Sequence, residues 1–104
     1  EMCIRDRPQD TPVKGMPQNS EFVRWINDGD VSISFNTLRE EALVAAREFQ
    51  AEYPDLGAIV LECTNLAPFS ADISSELGLP VFDCVTLVNW LHAGLRPRRR
   101  EPGV

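Results

Sequence analysis

The sequence predicts an α/β fold in which a short parallel sheet is flanked by helices. Apolar residues recur at helical spacing within residues 37–53, whereas residues 57–61 are continuously apolar, which is typical of a strand covered on both faces. Helix-like and strand-like segments then alternate up to residue 95, the order found in α/β domains. A chain of 104 residues is long enough for one domain with a modest core.

The first elements are short and irregular. Residues 8–19 hold three of the eight prolines and are predicted to form a loop. Ser20 is a candidate N-cap for a short helix, which the sequence Asn27-Asp28-Gly29 should end. Residues 31–35, VSISF, alternate in polarity as a half-buried strand does.

A longer helix is predicted over residues 37–53. Thr37 and Glu40 have the spacing of a capping box, in which a hydroxyl and a carboxylate satisfy two free backbone amides. Pro54 should end this helix because proline cannot continue the hydrogen-bond ladder. Residues 57–61 are then predicted to form a strand.

The second half repeats the order of helix, strand and helix. A helix over residues 68–77 is closed by Gly78, and residues 79–83 form a second short buried strand. Asp83 can cap a last helix over residues 84–93. Apolar side chains cover most of the circumference of that helix, so it needs cover on more than one side. They are Val85, Leu87, Val88, Trp90, Leu91 and Leu95.

The charge balance argues against a nucleic-acid partner. The net charge is −6, and phosphate affinity depends on neutralisation by lysine and arginine. Four of the ten basic residues fall in the run RPRRR, residues 96–100, and residues 96–104 are predicted to form a solvated basic tail. No apolar run approaches the length that spans a bilayer, so no membrane partner is expected.

Cysteine usage indicates a reducing compartment. Three cysteines with no paired spacing fit neither a disulfide framework nor a metal site, so the sequence predicts no metal and a cytoplasmic location. Residues 1–7, EMCIRDR, are interpreted as the translated end of a sequencing adaptor, which removes Cys3 from consideration. A natural reading frame cut before Pro8 would begin upstream.

Polar residues follow both predicted strands, at the edge where open α/β sheets bind ligands. Cys63-Thr64-Asn65 leaves the first strand, and Asp83-Cys84 leaves the second. Backbone amides near Thr64 and Asn65 can hold a carboxylate, with their side chains adding donors. The positive end of a helix also favours a thiolate at Cys63, although an isolated cysteine at a strand end is more often a small buried hydrophobe.

Residues 57–92, GAIVLECTNLAPFSADISSELGLPVFDCVTLVNWLH, resemble the C-terminal part of the aspartate/glutamate racemase family. The resemblance rests on Glu-Cys-Thr-Asn before a proline and on the Pro-Val-Phe-Asp strand, and it extends over about residues 21–95. It implies one lobe of a two-lobe fold whose cleft lies between two cysteines, one from each lobe. Residues 20–95 would be the C-terminal lobe of a truncated protein.

The resemblance also implies roles for these residues. Cys63 would be the catalytic acid/base that transfers a proton at Cα of an amino or dicarboxylic acid, without a cofactor. Thr64 and Asn65 would contact the substrate carboxylate, and Asp83 and Cys84 are further candidates for the pocket. For Cys84, a core or pocket-wall position is favoured over direct catalysis.

Inversion at Cα needs a donor opposite Cys63, and the missing N-terminal lobe would supply it. The fragment alone is therefore expected to be an inactive part of a racemase or isomerase. A second copy of the chain, forming a homodimer, is a candidate partner. Two alternatives stay open: a decarboxylase or cis-trans isomerase on the same scaffold, and a non-catalytic α/β module whose last helix docks a partner.

Overall fold

The computed structural model describes residues 10–102, so the predicted adaptor with Cys3 lies outside the described residues. The chain divides between Leu56 and Gly57 into two compact units. The N-terminal unit contains α1 (Glu21–Asp28) and α2 (Phe35–Glu52). The C-terminal unit contains β1 (Ile59–Val60), a 3₁₀ helix (Thr64–Phe69), α3 (Ser70–Leu77), β2 (Val81–Phe82) and α4 (Cys84–Leu95). The predicted α/β lobe, residues 20–95, thus spans both units.

Helix α1 begins and ends as the sequence predicts. The Ser20 hydroxyl accepts a hydrogen bond from the Val23 amide at 3.2 Å, which satisfies one of the free donors at the helix start. At the other end Gly29 adopts a φ of 65°, and its amide donates to the Trp25 carbonyl at 3.0 Å. A left-handed residue in this position costs glycine little, so the helix stops there.

The predicted strand at residues 31–35 is wrong, because Phe35 already belongs to α2. The Asp30 carboxylate accepts from the Ser32 amide at 3.0 Å, a local bond that competes with a strand ladder. Ser34 is extended and caps α2 by accepting from the Thr37 amide at 3.1 Å. The predicted capping box at Thr37 was therefore placed three residues too late.

Helix α2 packs on α1 through a small apolar core. Leu38 and Ala42 are buried together with Phe22, which is only 2% exposed. Helix α2 ends at Glu52, just before Pro54, as predicted.

The C-terminal unit is built on the predicted parallel pairing of β1 with β2. Ile59 pairs with Val81, and the Leu61 amide donates to the Phe82 carbonyl at 2.8 Å. The prediction that β1 is covered on both faces is wrong within the described residues, since Ile59 is 6% exposed and Val60 is 70% exposed. Successive strand side chains face opposite sides, so only one face of this sheet is covered by residues 10–102.

The core of this unit lies on the Ile59 face of the sheet. Phe69, Ile73 and Leu77 are buried there at spacings of four, which places them on one side of the segment that includes α3. Gly78 ends α3 at a φ of 67°, as predicted, whereas Pro68 falls inside the 3₁₀ helix and not at the start of α3.

Helix α4 is the exposed element of the C-terminal unit. None of its twelve residues is buried, so residues 10–102 do not supply the cover that its apolar circumference calls for. No helix within residues 10–102 combines the length and the apolar content that crossing a bilayer requires.

Candidate active site

The predicted site residues follow the carboxyl ends of the two strands. Because β1 and β2 are parallel, these ends meet at the same edge of the sheet. Leu61 directly follows β1 and donates the last hydrogen bond between the two strands, to Phe82, and Cys63 lies two residues further on. Asp83 directly follows β2. Cys84 then begins α4, which contacts the 3₁₀ helix that starts after Cys63. The structure therefore brings both predicted segments to one edge.

Cys63 occupies the N-cap position of the 3₁₀ helix. Its backbone is extended, with φ −82° and ψ 125°, and its carbonyl accepts from the Leu66 amide at 3.1 Å. The thiol forms no capping hydrogen bond and the residue is half-buried. The 3₁₀ helix that begins at the next residue thus fixes the Cys63 backbone without using its side chain. Phe69, 1% exposed, anchors the far end of this helix in the core.

Thr64 and Asn65 form the first turn of the same helix, and both are exposed. Their side chains make no hydrogen bond to other residues in the described part of the chain. A hydroxyl and a side-chain amide therefore stand beside Cys63 with their donors directed to solvent or to a ligand. Their predicted contact with a substrate carboxylate stays a prediction.

Asp83 is held by its own neighbours. One carboxylate oxygen accepts from the Thr86 amide at 2.9 Å, and the Thr86 hydroxyl in turn accepts from the Asp83 amide at 2.9 Å. The other oxygen accepts a hydrogen bond from the Ser70 hydroxyl. Chiefly the Ser70 hydroxyl, and then the Thr86 amide, lower the pKa of Asp83 below its ordinary value. The predicted cap is confirmed, and a substrate role would have to share an already bonded carboxylate.

Ser70 is a functional-site neighbour that sequence reasoning missed. It is the first residue of α3, and its bond to Asp83 joins the start of α3 to the start of α4. Nothing in the spacing of residues 70 and 83 reveals the contact, because it depends on the parallel pairing of the strands between which α3 lies. The sequence pattern that could have indicated this bond is a hydroxyl at the first position of a helix, followed by an aspartate directly after the next strand.

Cys84 is half-buried at the first position of α4. It lies at the same sheet edge as Cys63 because β2 ends one residue before Asp83. This position fits the favoured pocket-wall role, which stays a prediction.

Residues 10–56, the described part of the N-terminal unit, offer no comparable site. A shallow polar depression there is lined partly by Ser20, Arg24 and Asp28 at the start and along the side of α1. The Glu41 carboxylate accepts hydrogen bonds from the amides of Glu21 and Phe22, at 2.9 and 2.7 Å. These two amides at the start of α1 are therefore already bonded to a side chain of the same unit and are not available to a ligand. Within residues 10–102, no three His, Cys, Asp or Glu side chains lie close enough to hold a metal ion.

Comparison with known proteins finds short but consistent matches. The chain is 43% identical over 49 residues to a dimethylsulfoniopropionate lyase of Durusdinium sp. clade D, covering 47% of this chain and 16% of the relative. It is 38% identical over 48 residues to dimethylsulfoniopropionate lyase 5 of Emiliania huxleyi, covering 46% of this chain and 10% of the relative. It is 39% identical over 59 residues to lyase 7 of the same alga, covering 53% and 17%.

The chain thus spans about a sixth or less of the length of the curated relatives it matches. No protein-family model matches it, and no solved structure does.

These matches contradict the resemblance to the aspartate/glutamate racemase family and the predicted racemase or isomerase activity. The relatives are named lyases, and nothing in the comparisons favours the decarboxylase or cis-trans isomerase alternative. The wrong prediction has a physical reason: Cys63, Thr64 and Asn65 offer a possible base beside hydrogen-bond donors that could bind a carboxylate, and nothing more. Removal of a proton next to a carboxylate begins both racemisation and elimination, and these three residues do not determine which follows.

Proposed function

We propose that this chain is part of a lyase that cleaves the carbon–sulfur bond of dimethylsulfoniopropionate or a closely similar sulfonium carboxylate. The observation that carries the proposal is its identity of 38–43% with three proteins of that name. The sheet edge with Cys63 supports it, because an elimination needs a base and carboxylate contacts in one place.

The proposed reaction is a β-elimination. A base removes a proton from Cα, the electron pair forms the Cα–Cβ double bond, and the Cβ–S bond breaks. Dimethyl sulfide leaves as a neutral molecule and acrylate remains, so the positive charge of the sulfonium is neutralised without a further reactant. Cys63, as thiolate, is the proposed base, and the Thr64 and Asn65 donors bind the substrate carboxylate.

One base is sufficient for this chemistry. Racemisation must return a proton to the opposite face of Cα, whereas elimination loses the leaving group from Cβ and needs no second proton donor. Cys63 would therefore perform only proton removal, which is also the first step of a racemisation. Cys84 and the Asp83 cap would shape the wall of the pocket beside it.

The C-terminal unit is proposed to form one lobe of the site in a longer enzyme. A base contributes about 10²–10⁴-fold to a rate only when substrate is held within hydrogen-bond reach. Thr64 and Asn65 are exposed, so the opposite wall of the pocket, which must exclude water and contact the dimethylsulfonium group, comes from other parts of the enzyme.

The test is a chimaera in which this chain, aligned on its match, replaces the corresponding region of the Durusdinium lyase. We expect the chimaera to release dimethyl sulfide from dimethylsulfoniopropionate, measured by headspace gas chromatography, and the isolated chain to release none. Cys63→Ser should lower kcat at least about 100-fold, because a hydroxyl is a far weaker base than a thiolate. Cys84→Ser is the matched control and should change KM more than kcat.

Retention of kcat by a folded Cys63→Ser chimaera would reject Cys63 as the base and favour the non-catalytic module. Release of a product other than dimethyl sulfide would reject the proposed substrate class.

A further inference from the structure

Helix α4 presents a continuous apolar stripe to solvent. Leu87, Leu91 and Leu95 recur every four residues, and Val88 lies beside them on the same side of the helix. Their exposed fractions are 54%, 56%, 78% and 61% in the order given. Trp90, the largest side chain of the helix, borders the stripe and is 71% exposed. These five residues are called the α4 stripe below. Exposed apolar surface of this extent marks an interaction site.

The uncovered face of the sheet is apolar as well. Val60 and Phe82 are paired across the two strands, so their side chains stand next to each other on the same face. They are 70% and 50% exposed, opposite to the face that holds buried Ile59. A sheet normally has a second layer packed on such a face. A planar lipid surface can cover a single helix, whereas the face of a small sheet is normally covered by another layer of the protein.

The charge next to the α4 stripe indicates the chemistry of the partner. Arg96, Arg98, Arg99 and Arg100 follow the C-terminal end of α4 directly, and all four are exposed. Carboxylates are the protein groups that pair with arginine in the planar, two-bond geometry it favours. The complementary surface is therefore apolar along α4 and acidic beyond residue 95.

We infer that the α4 stripe, with Val60 and Phe82, is the docking surface for the remaining part of a longer lyase chain. This inference rests on the proposed function. Its specific support is the length of the relatives, since the matched segments amount to only 10–17% of each lyase. Helix α4 begins at the sheet edge of Cys63, so a body docked on it lies beside the proposed pocket and can form its opposite wall.

The experiment measures burial of the α4 stripe directly. Leu91→Cys is introduced both into the isolated chain and into the Durusdinium chimaera, and the rate of maleimide labelling at this position is followed by peptide mass spectrometry. We expect labelling in the chimaera to be at least about tenfold slower, because a docked side chain is shielded from the reagent. Ser75→Cys, an exposed position on α3, is the matched control and should be labelled at similar rates in both proteins.

Equal labelling of Leu91→Cys in the two proteins would overturn the inference. Protection in the isolated chain that grows with its concentration would assign the surface to a second copy instead. Protection of the isolated chain by phosphatidylserine vesicles would assign it to an anionic membrane. Lyase activity is read separately: a protected but inactive chimaera refutes the proposed function and keeps the docking surface, while an active but unprotected one does the reverse.

Discussion

Phe69 is the side chain on which the geometry at Cys63 depends most. It is 1% exposed and ends the 3₁₀ helix that begins after Cys63, so it fixes that helix to the core of the C-terminal unit. Truncation of a buried phenylalanine to alanine costs about 3–5 kcal/mol. A unit of the size of residues 57–102 has roughly 2–7 kcal/mol of stability in total. Phe69→Ala should therefore remove half or more of the stability of this unit.

Amide hydrogen exchange of the isolated chain measures this loss of stability in the two paired strands of the C-terminal unit. The Ile59 amide donates to the Pro80 carbonyl and the Leu61 amide to the Phe82 carbonyl. Protection of these two amides against exchange therefore reports opening of the unit. A loss of 3–5 kcal/mol corresponds to about 10²–10⁴-fold faster exchange, since 1.4 kcal/mol is a factor of ten, and a unit less stable than this loses its protection entirely.

Phe82→Ala is the matched control for this substitution. Phe82 is 50% exposed in the same unit, so its truncation should cost only about 1 kcal/mol. If Phe69→Ala accelerates exchange by less than tenfold, or by no more than Phe82→Ala does, Phe69 does not fix the 3₁₀ helix to the core.

Two further predictions concern charged groups. Glu41→Leu removes the carboxylate that binds two amides at the start of α1 and should lower the stability of the N-terminal unit by about 2 kcal/mol. Glu40→Leu, whose side chain is 60% exposed, should cost less than about 0.5 kcal/mol. Both losses are measured by urea unfolding in a Trp90→Phe background, in which Trp25 is the remaining tryptophan, and equal losses would contradict this. Because the folded pKa of Asp83 is lowered, chiefly by the Ser70 hydroxyl, its carboxylate stabilises the fold above its ordinary pKa of about 3.8. That stability is lost as pH falls through the lower folded pKa, so Asp83→Asn should flatten the acid limb of urea midpoints measured against pH, and an unchanged limb would refute the assignment.

Local signals predicted the parts of the fold that depend on a few neighbouring residues. Ser20, Gly29, Gly78 and Asp83 each act within one helical turn, and all four end or begin a helix as expected. The parallel pairing of β1 with β2 was also predictable, because apolar runs separated by a helix leave few other arrangements.

Signals that compete locally, or that join distant residues, were not predictable. VSISF alternates like a strand, but the Asp30 carboxylate binds the Ser32 amide and the Ser34 hydroxyl caps α2, so two side chains override the pattern. The bonds of Glu41 to α1 and of Ser70 to Asp83 join residues 19 or 20 and 13 positions apart. No spacing rule covers such separations, since they depend on how helices pack.

The candidate site shows the same limit in chemical terms. Strand ends and parallel pairing were sufficient to place Cys63 and Asp83 at one edge. The predicted racemase reaction is contradicted by the named relatives. A thiol beside a hydroxyl and a side-chain amide fits both racemisation and elimination, so no residue at this edge distinguishes the two reactions.

The short separations within the C-terminal unit have a consequence for how it forms. Ile59 pairs with Val81, and the Ser70 to Asp83 bond closes a still smaller loop. The entropy cost of loop closure rises only slowly with loop length and is low here, and folds dominated by such near-neighbour contacts form quickly. The segment that positions Cys63 is thus a nearly self-contained block of sequence, and in a longer chain it could be exchanged between relatives with this edge of the sheet intact.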